Sequence, residues 1–485
     1  MELWLPLDSY ELQHRYKYQA LYYALRDAIH SGTLEAGARL PSTRVLAKQY
    51  ELSRGSVAQV YDMLLADGYV QAYRGKGTYV TESLSTHSDQ QTDAVLPLSP
   101  WGERLLASAA VDKRSLEETQ SGHESVINFR MQRLQHDHFP AAEWKSALAA
   151  VHRSGWREPA GAAGDPELRE AIASHLRWTR GIQTEASQIV LFSGSIQGIT
   201  LISQLFIAEG SPVVLENPSY PGIVHAVRSC GGQVIPAEVD EGGIIPQPWQ
   251  AQMLFVTPTR QFPTGAVLGL ERRRALLAWA SKQNAVIVED DYDSEFRWGG
   301  RPIEPLKVLD HEQRVIYIGS FSQTMPASFR LGYAVLPPSL VEPLLAAKAL
   351  YEPVSPALLE QRALARFMAR GDYMRHLRRL TRLYGERHDF MVQEMERCMP
   401  KAFTLLPGDA GLTIYAVWNG DRASYECFTK QVHEQGILLR DVERYRLMPG
   451  HDAVCFGFAH LEKAEIREGV RRMQFAWEKC TFSFR

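Results

Sequence analysis

The 485 residues include only five cysteines, Cys230, Cys398, Cys427, Cys455 and Cys480. The number is odd and none stands in a CxxC pair. That argues against a disulfide framework or a cysteine-based zinc site, and for a reduced compartment. No apolar run approaches the ~18 residues that a membrane-spanning helix requires. The N-terminal MELWLPLDSYELQHRY carries acids early and lacks the apolar stretch of a signal peptide. These absences lead to the expectation of a cytoplasmic protein. An excess of one charge is also lacking, since 53 Lys and Arg stand against 56 Asp and Glu, a net −3. The whole chain is therefore no simple polycation for nucleic acid, although a basic unit can hide inside that average. No internal repeat is found. What is present is ordinary globular material, 45% hydrophobic and 22% charged, in a length that suits about three domains or one large domain with additions.

The clearest composition break is ESLSTHSDQQTD, residues 82–93, where Leu84 is the single apolar residue. Such a tract cannot offset its ordering entropy by burial and reads as a linker. A mixed stretch follows, and its LPLSPWGERLL portion has the apolar content to dock. The expected organisation is a first unit over 14–81, a linker over 82–125 and a second unit over 126–485.

In the first unit, Leu21, Leu25, Ala28 and Ile29 recur at helical spacing and Gly32 stops the run. Pro41-Ser42 opens a second helix. Ser53 can cap a third, where Val57, Val60, Tyr61, Leu64 and Leu65 form one apolar face. TyrVal at 69–70 and ThrTyrVal at 78–80 bracket Arg74-Gly75-Lys76-Gly77 as a hairpin. Residues 14–81 hold nine Lys and Arg against five Asp and Glu, about +4. Three short helices with a basic-tipped hairpin form a winged helix-turn-helix. Its third helix would enter the major groove of double-stranded DNA by a turn carrying Ser53, Arg54 and Ser56. Arg44 would grip the backbone, and Arg74, Gly75 and Lys76 would form the wing tip. The segment LPSTRVLAKQYELSRGSVAQVYDMLLADGYVQAYRGKGTYV resembles the DNA-binding domain of the GntR family almost without gaps. The resemblance places Arg44, Arg54 and the Arg74-Gly75 tip at that family's DNA-contacting positions.

In the second unit short apolar strands alternate with helices: 188–192, 212–215, 253–257, 285–289, 314–318 and 331–336, with a helix over 270–283. This predicts an α/β fold with a largely parallel sheet, whose ligands bind at the carboxyl ends of strands. Three marked segments follow strands. Ser193-Gly194-Ser195 precedes a helix and can offer N–H groups to phosphate. Glu289-Asp290-Asp291-Tyr292 can meet a protonated pyridine nitrogen and a phenolic oxygen. Gly319-Ser320-Phe321-Ser322-Gln323, with Arg330 beyond, makes a phosphate cup. Each alone is weak. In order, ENPSYPG, TPTRQFPTG, VEDDYDSEFRWGGRP and YIGSFSQTMPASFRLGYAVLPP resemble fold-type I aminotransferases. More closely, they resemble the aminotransferase-like half of MocR/GabR-type regulators, which join it through a linker to a GntR-type winged helix. The resemblance implies a transcription regulator that binds pyridoxal 5'-phosphate, senses an amine or amino acid, and forms a head-to-tail homodimer. It assigns Tyr220 to the cofactor ring, Asp290 to its nitrogen and Tyr292 to its phenolate. Gly194, Ser195, Ser320, Ser322 and Arg330 fall to the phosphate.

The sequence departs from that pattern where the chemistry is most demanding. GSFSQTMPASFRLGY carries Gln323 where the family has its Schiff-base lysine. An amide nitrogen is not nucleophilic and cannot form an imine, so Gln323 only donates and accepts hydrogen bonds. Ile196 replaces a usual Gln, and Arg260 the usual His. The 156–166 stretch carries extra residues where the family supplies a contact to the partner subunit. The family's carboxylate-binding arginine has no clear counterpart, with Arg440 and Arg444 nearby. Transamination, the least favoured reading, needs the missing lysine as imine partner and base. Two readings of the pocket remain: a relic in a scaffold that only dimerises, or a site that holds free pyridoxal phosphate, a preformed adduct of it with an amine, or a different anionic ligand.

Overall fold

Residues 3–81, 96–116, 126–130, 138–155, 160–299, 303–406 and 408–482 are described in the computed structural model of the chain, which divides into two units between Pro97 and Leu98. In the first, α1 (Leu7–Glu11), α2 (Lys17–His30), α3 (Thr43–Gln49) and α4 (Arg54–Ala66) precede a hairpin of β1 (Val70–Tyr73) and β2 (Gly77–Val80). The caps are those the sequence implied. The Ser42 side chain accepts from Val45 N–H and the Ser53 side chain from Ser56 N–H. Leu21, Leu25, Leu46, Val57, Val60 and Leu64 are fully buried. Truncating one such side chain typically costs about 2–5 kcal/mol. The core also reaches N-terminal to residue 14, because Leu5 and Leu7 are buried in it. Tyr50 Oη donates to the Leu3 carbonyl at 2.6 Å and accepts from Leu5 N–H at 2.7 Å. A five-residue helix carries too few turns to show a period, so the sequence pattern passes over it.

The second unit opens with α5 (Pro100–Leu116), β3 (Ile127–Asn128), α6 (Ala141–Arg153) and α7 (Pro166–Arg180). Then come β4 (Ile189–Phe192), α8 (Ser195–Phe206), β5 (Pro212–Asn217), α9 (Pro221–Ser229), β6 (Gln233–Asp240), β7 (Gly243–Ile244) and β8 (Met253–Val256). The sheet is completed through α10 (Leu270–Gln283), β9 (Val286–Asp291), β10 (Val315–Ser320) and β11 (Gly332–Val335). Its order is β4-β11-β10-β9-β8-β5-β6-β7. The inner run β10-β9-β8-β5-β6 is parallel, while β11 is antiparallel to both its neighbours. Every residue of β4, β8, β10 and β11 is buried, as expected for strands with helices on both faces. The 82–93 tract lies outside the described residues. Within the stretch read as linker, however, α5 is a helix against α9. Arg104 donates to the Ser229 carbonyl at 3.1 Å and pairs with Glu209 at 2.7 Å.

After α11 (Pro338–Ala349) and α12 (Leu358–Ala369), the long α13 (Asp372–Cys398) leads to a C-terminal layer. It contains β12 (Phe403–Leu405), β13 (Thr413–Trp418), α14 (Arg422–Glu434), β14 (Ile437–Leu438), β15 (Ala453–Gly457) and α15 (Lys463–Phe482). Strands β12, β13 and β15 form an antiparallel sheet, and β14 pairs with β3. The expectation of a chain without a disulfide does not hold. Cys427 of α14 and Cys480 of α15 form a disulfide, with sulfurs 2.17 Å apart, whereas Cys230, Cys398 and Cys455 are free. The pair is 53 residues apart. Only the packing of α14 on α15 brings it together, so the spacing of cysteines gave no sign of it. Among the described residues no helix is long and apolar enough to cross a membrane.

Candidate functional site

At the carboxyl edge of the sheet, three strand ends converge. The register sets Asp290 beside Ile318, Ser320 beside Gly332 and Gly332 beside Phe192. The chain leaving β4 turns through Gly194 into α8, and the chain leaving β10 runs Ser320-Phe321-Ser322-Gln323. Between them lies a cavity of about 260 Å³ lined by Gly194, Ser195, Ile196, Tyr220, Phe262, Asp290, Tyr292, Ser320, Ser322, Gln323 and Arg330. All nine residues assigned to the pocket from sequence line it. Two larger cavities, of about 670 and 590 Å³, adjoin α7 and α13. Tyr317 and Tyr333 line the larger of them. It lies on the other face of the sheet from Ser320 and Asp290, because residues alternate along a strand. Neither larger cavity contains a phosphate cup or the strand ends at which such folds bind ligands.

The cup is built from small, polar pieces. Ser320 Oγ donates to Ser322 Oγ at 2.8 Å and accepts from Ser322 N–H at 3.1 Å. Arg330 Nη2 donates to the Ser193 carbonyl at 3.4 Å, which brings its guanidinium over the turn. Gly194 has φ +96, and a Cβ there would stand 3.2 Å from Arg330 Nη2. A side chain at 194 would be strained and would crowd the cation. Gly332 is required by closeness instead, since a Cβ on it would meet Ser195 N at 2.6 Å. The open N–H groups at the start of α8, two serine hydroxyls and one arginine are a donor set for a phosphate.

The opposite wall is acidic and aromatic. Asp290 is buried and no described residue donates a hydrogen bond to it. Burial first, then the carboxylates of Asp291 and Asp293, push its carboxyl up to about 7. A pyridinium N–H would supply the donor it lacks. Burial raises the Tyr292 phenol well above its ordinary value, so its hydroxyl stays protonated. That hydroxyl accepts from Arg260 Nη1 at 3.0 Å, which leaves its own hydrogen for a ligand oxygen. Arg260 also pairs with Asp293 at 3.0 Å and donates to the Thr413 carbonyl at 2.7 Å. The substitution noted at 260 thus locks the end of β9 to β13. Sequence reasoning missed Phe262, although it sits in the TPTRQFPTG segment. Its ring meets Tyr220, Tyr292 and Tyr445 edge-on, with centroids 5.7, 5.6 and 5.0 Å away. Arg440 and Arg444 are not among the lining residues. Residues 156–159, within the stretch of extra residues, lie outside the described residues.

Gln323 also lines the cavity. Its Oε1 is buried and without a hydrogen-bond partner among the described residues. The donors and acceptors of the lining suit pyridoxal phosphate at phosphate, ring nitrogen and phenolate, and the amide of Gln323 among them is no nucleophile.

In the first unit, Arg44, Arg54, Arg74, Gly75 and Lys76 are all exposed. None of the four cations is in an ion pair among the described residues. Arg54 opens α4, and the β1–β2 turn carries Arg74 to Lys76. Ser53 and Ser56 have their hydroxyls 2.8 Å apart within the cap, so they shape the helix end and leave reach to Arg54. Arg39, unassigned from sequence, is exposed and bridges to Tyr79 beside the wing.

These features define a winged helix-turn-helix joined to a fold-type I aminotransferase-like unit, and comparison with known proteins agrees on both. The family described as "Bacterial regulatory proteins, gntR family" matches residues 17–80, and "Aminotransferase class I and II" matches 124–473. The chain is 30% identical to the "Probable rhizopine catabolism regulatory protein MocR" of Rhizobium meliloti, over 95% of this chain and 93% of that protein. It is also 30% identical to the "HTH-type pyridoxine biosynthesis transcriptional regulator PdxR" of Corynebacterium glutamicum, over 91% and 92%. Among solved structures, a Pyrococcus horikoshii kynurenine aminotransferase superposes with a TM-score of 0.71 at 24% identity, covering 79% of this chain and 97% of that one. The chain belongs to the MocR-type family of helix-turn-helix transcriptional regulators with an aminotransferase-like domain.

Proposed function

We propose that this chain is a DNA-binding regulator whose aminotransferase-like unit holds a phosphorylated pyridine non-covalently as an effector and does not transaminate. The observation that carries the reading is Gln323 standing at the end of β10 inside an otherwise complete donor set. Gly194, Ser195, Ser320, Ser322 and Arg330 hold phosphate, Asp290 receives the ring nitrogen, Tyr292 donates to the phenolate oxygen, and Tyr220 flanks the ring. When bound, pyridoxal 5'-phosphate supplies an electron-withdrawing ring. Transamination would need a lysine to hand over its imine to the incoming amine and then to move a proton, and Gln323 offers neither a nucleophilic nitrogen nor a base. The name of the Corynebacterium relative, a pyridoxine biosynthesis regulator, is in keeping with a ligand of this class.

On DNA, the first turn of α4 enters the major groove with Arg54, and the wing reaches adjacent phosphates. Two copies, arranged as a head-to-tail homodimer, present two such units to two half-sites. Effector binding is allosteric here if ligand and operator change each other's affinity by the same factor. Anisotropy titrations of an operator fragment over a salt series test both halves. Arg54→Ala is expected to weaken specific binding about tenfold to a hundredfold. Replacing Asp290 and Arg330 together by alanine should abolish the response to ligand while operator binding persists. Wild-type affinity in the Arg54 variant rejects this docking. An unchanged ligand response in the double variant rejects the pocket and favours a scaffold that only dimerises.

A further inference from the structure

Gly55 stands in the first turn of α4 without a reason inside the first unit. Its φ is negative, and a Cβ on it would meet nothing nearer than Ser53 Oγ at 3.7 Å, an ordinary contact. Glycine also favours a helix less than alanine does. The buried stripe of α4 is Val57, Val60, Tyr61 and Leu64. At about 100° per residue, Gly55, Gln59 and Asp62 fall on the opposite side, and all three are exposed. A helical side chain leans towards the helix N-terminus, over the turn before its own Cα. Gln59 therefore leans over Gly55, towards the end of α4 that carries Arg54. Its amide has no hydrogen-bond partner among the described residues.

Resting on the docking of α4 in the major groove, we propose that Gln59 reads an adenine in each half-site, and that Gly55 lets the helix come close enough for it to do so. A carboxamide presents an N–H and a carbonyl side by side, and adenine presents the matching N7 acceptor and N6 donor at its major-groove edge. Guanine shows two acceptors there, cytosine a donor, and thymine an acceptor beside a methyl group, so none of them answers both groups of the amide. A side chain at 55 would stand between Gln59 and the bases it leans towards, whereas a hydrogen leaves the way clear. Asp62, further along the same side, would face the phosphates with a like charge, which confines the reading to the first two turns of the helix. Arg54 precedes Gln59 by five residues, about 7–8 Å along the axis. Base pairs follow each other at about 3.4 Å, so the two side chains meet different ones.

Full-length protein, with and without pyridoxal 5'-phosphate, is used to select sites from a randomised duplex library. The enriched site is then varied one base pair at a time in anisotropy titrations. Wild type should prefer adenine at one position of each half-site by about tenfold or more. Gln59→Ala should flatten that position and leave the others as they were. Gln59→Glu, whose carboxylate only accepts, should move the preference there to cytosine. Gly55→Ala should raise the melting temperature of the first unit by a few degrees and yet weaken binding to the selected site about tenfold or more. Those two readouts move in opposite directions, which a folding defect cannot produce. Unchanged preferences in both Gln59 variants, or a Gln59-dependent preference for another base, overturn the assignment. Wild-type affinity in the Gly55 variant overturns the close approach on which it depends. A selected site that needs Arg54 but not Gln59 leaves the docking standing and removes this inference alone, whereas no selected site removes both.

Discussion

Arginine does opposite work in the two units. Arg44, Arg54 and Arg74 stand in solvent, where a charge stays hydrated and available to a phosphate. Arg180, Arg260 and Arg387 are buried and answered by carboxylates or carbonyls. Arg180 pairs with Asp291 at 2.7 Å, Arg260 with Asp293, and Arg387 donates to the Ala459 carbonyl at 2.5 Å. An exposed cation can be removed with little effect on the fold, because water takes over its neighbours' solvation. A buried one cannot, because its partner is left charged in a medium that solvates it poorly.

The sharpest way to break this contrast is Arg260→Ala. It leaves Asp293 buried without its cation, and burial already raises that carboxyl to about 6. A loss of about 3–5 kcal/mol is expected in denaturant unfolding of the second unit. A loss below 1 kcal/mol would mean the pair is solvated and the contrast false. Next in size is Asp290→Asn, read against pH. A carboxyl raised to about 7 contributes stability below about pH 4, loses it as the pH rises towards 7, and changes little above. The asparagine does not titrate. In ligand-free protein the variant should therefore gain on wild type by roughly 2–3 kcal/mol between pH 5 and pH 8. Parallel pH curves for the two proteins contradict the buried, unanswered Asp290. Ser53→Ala removes the cap of α4 and is expected to cost about 1 kcal/mol of first-unit stability. Smallest is Lys76→Ala, with a stability change within about 0.5 kcal/mol. Its signature is a salt dependence of DNA binding shallower by about one unit of slope. A melting shift of several degrees there would place Lys76 in the fold rather than on the DNA-facing surface.

Much of this was legible because its signals are local. The six predicted strands and the 270–283 helix rest on runs of a few residues, and both helix caps of the winged helix rest on a single serine each. The nine pocket positions came through motif order, and they converge because each follows a strand end on the same edge of the sheet. What escaped is non-local. Arg260 reads in sequence only as a departure, since its Thr413 partner lies 153 residues away. The Cys427–Cys480 bridge, the aromatic contacts of Phe262 with Tyr445 and the choice of α9 as the partner of α5, whose first residues did read as able to dock, are likewise made by packing, on which a short window is silent.

The pairing of β3 with β14 sets an order in time. Asn128 accepts from His460, 332 residues further along, so the second unit cannot close its C-terminal layer until nearly the whole chain exists. The first unit makes its core from residues before 81. At about 5–20 residues per second of synthesis, the winged helix is complete for some tens of seconds before the pocket-bearing unit can finish. During every round of translation there is an interval in which the DNA-reading surface is folded and the part that would govern it is not.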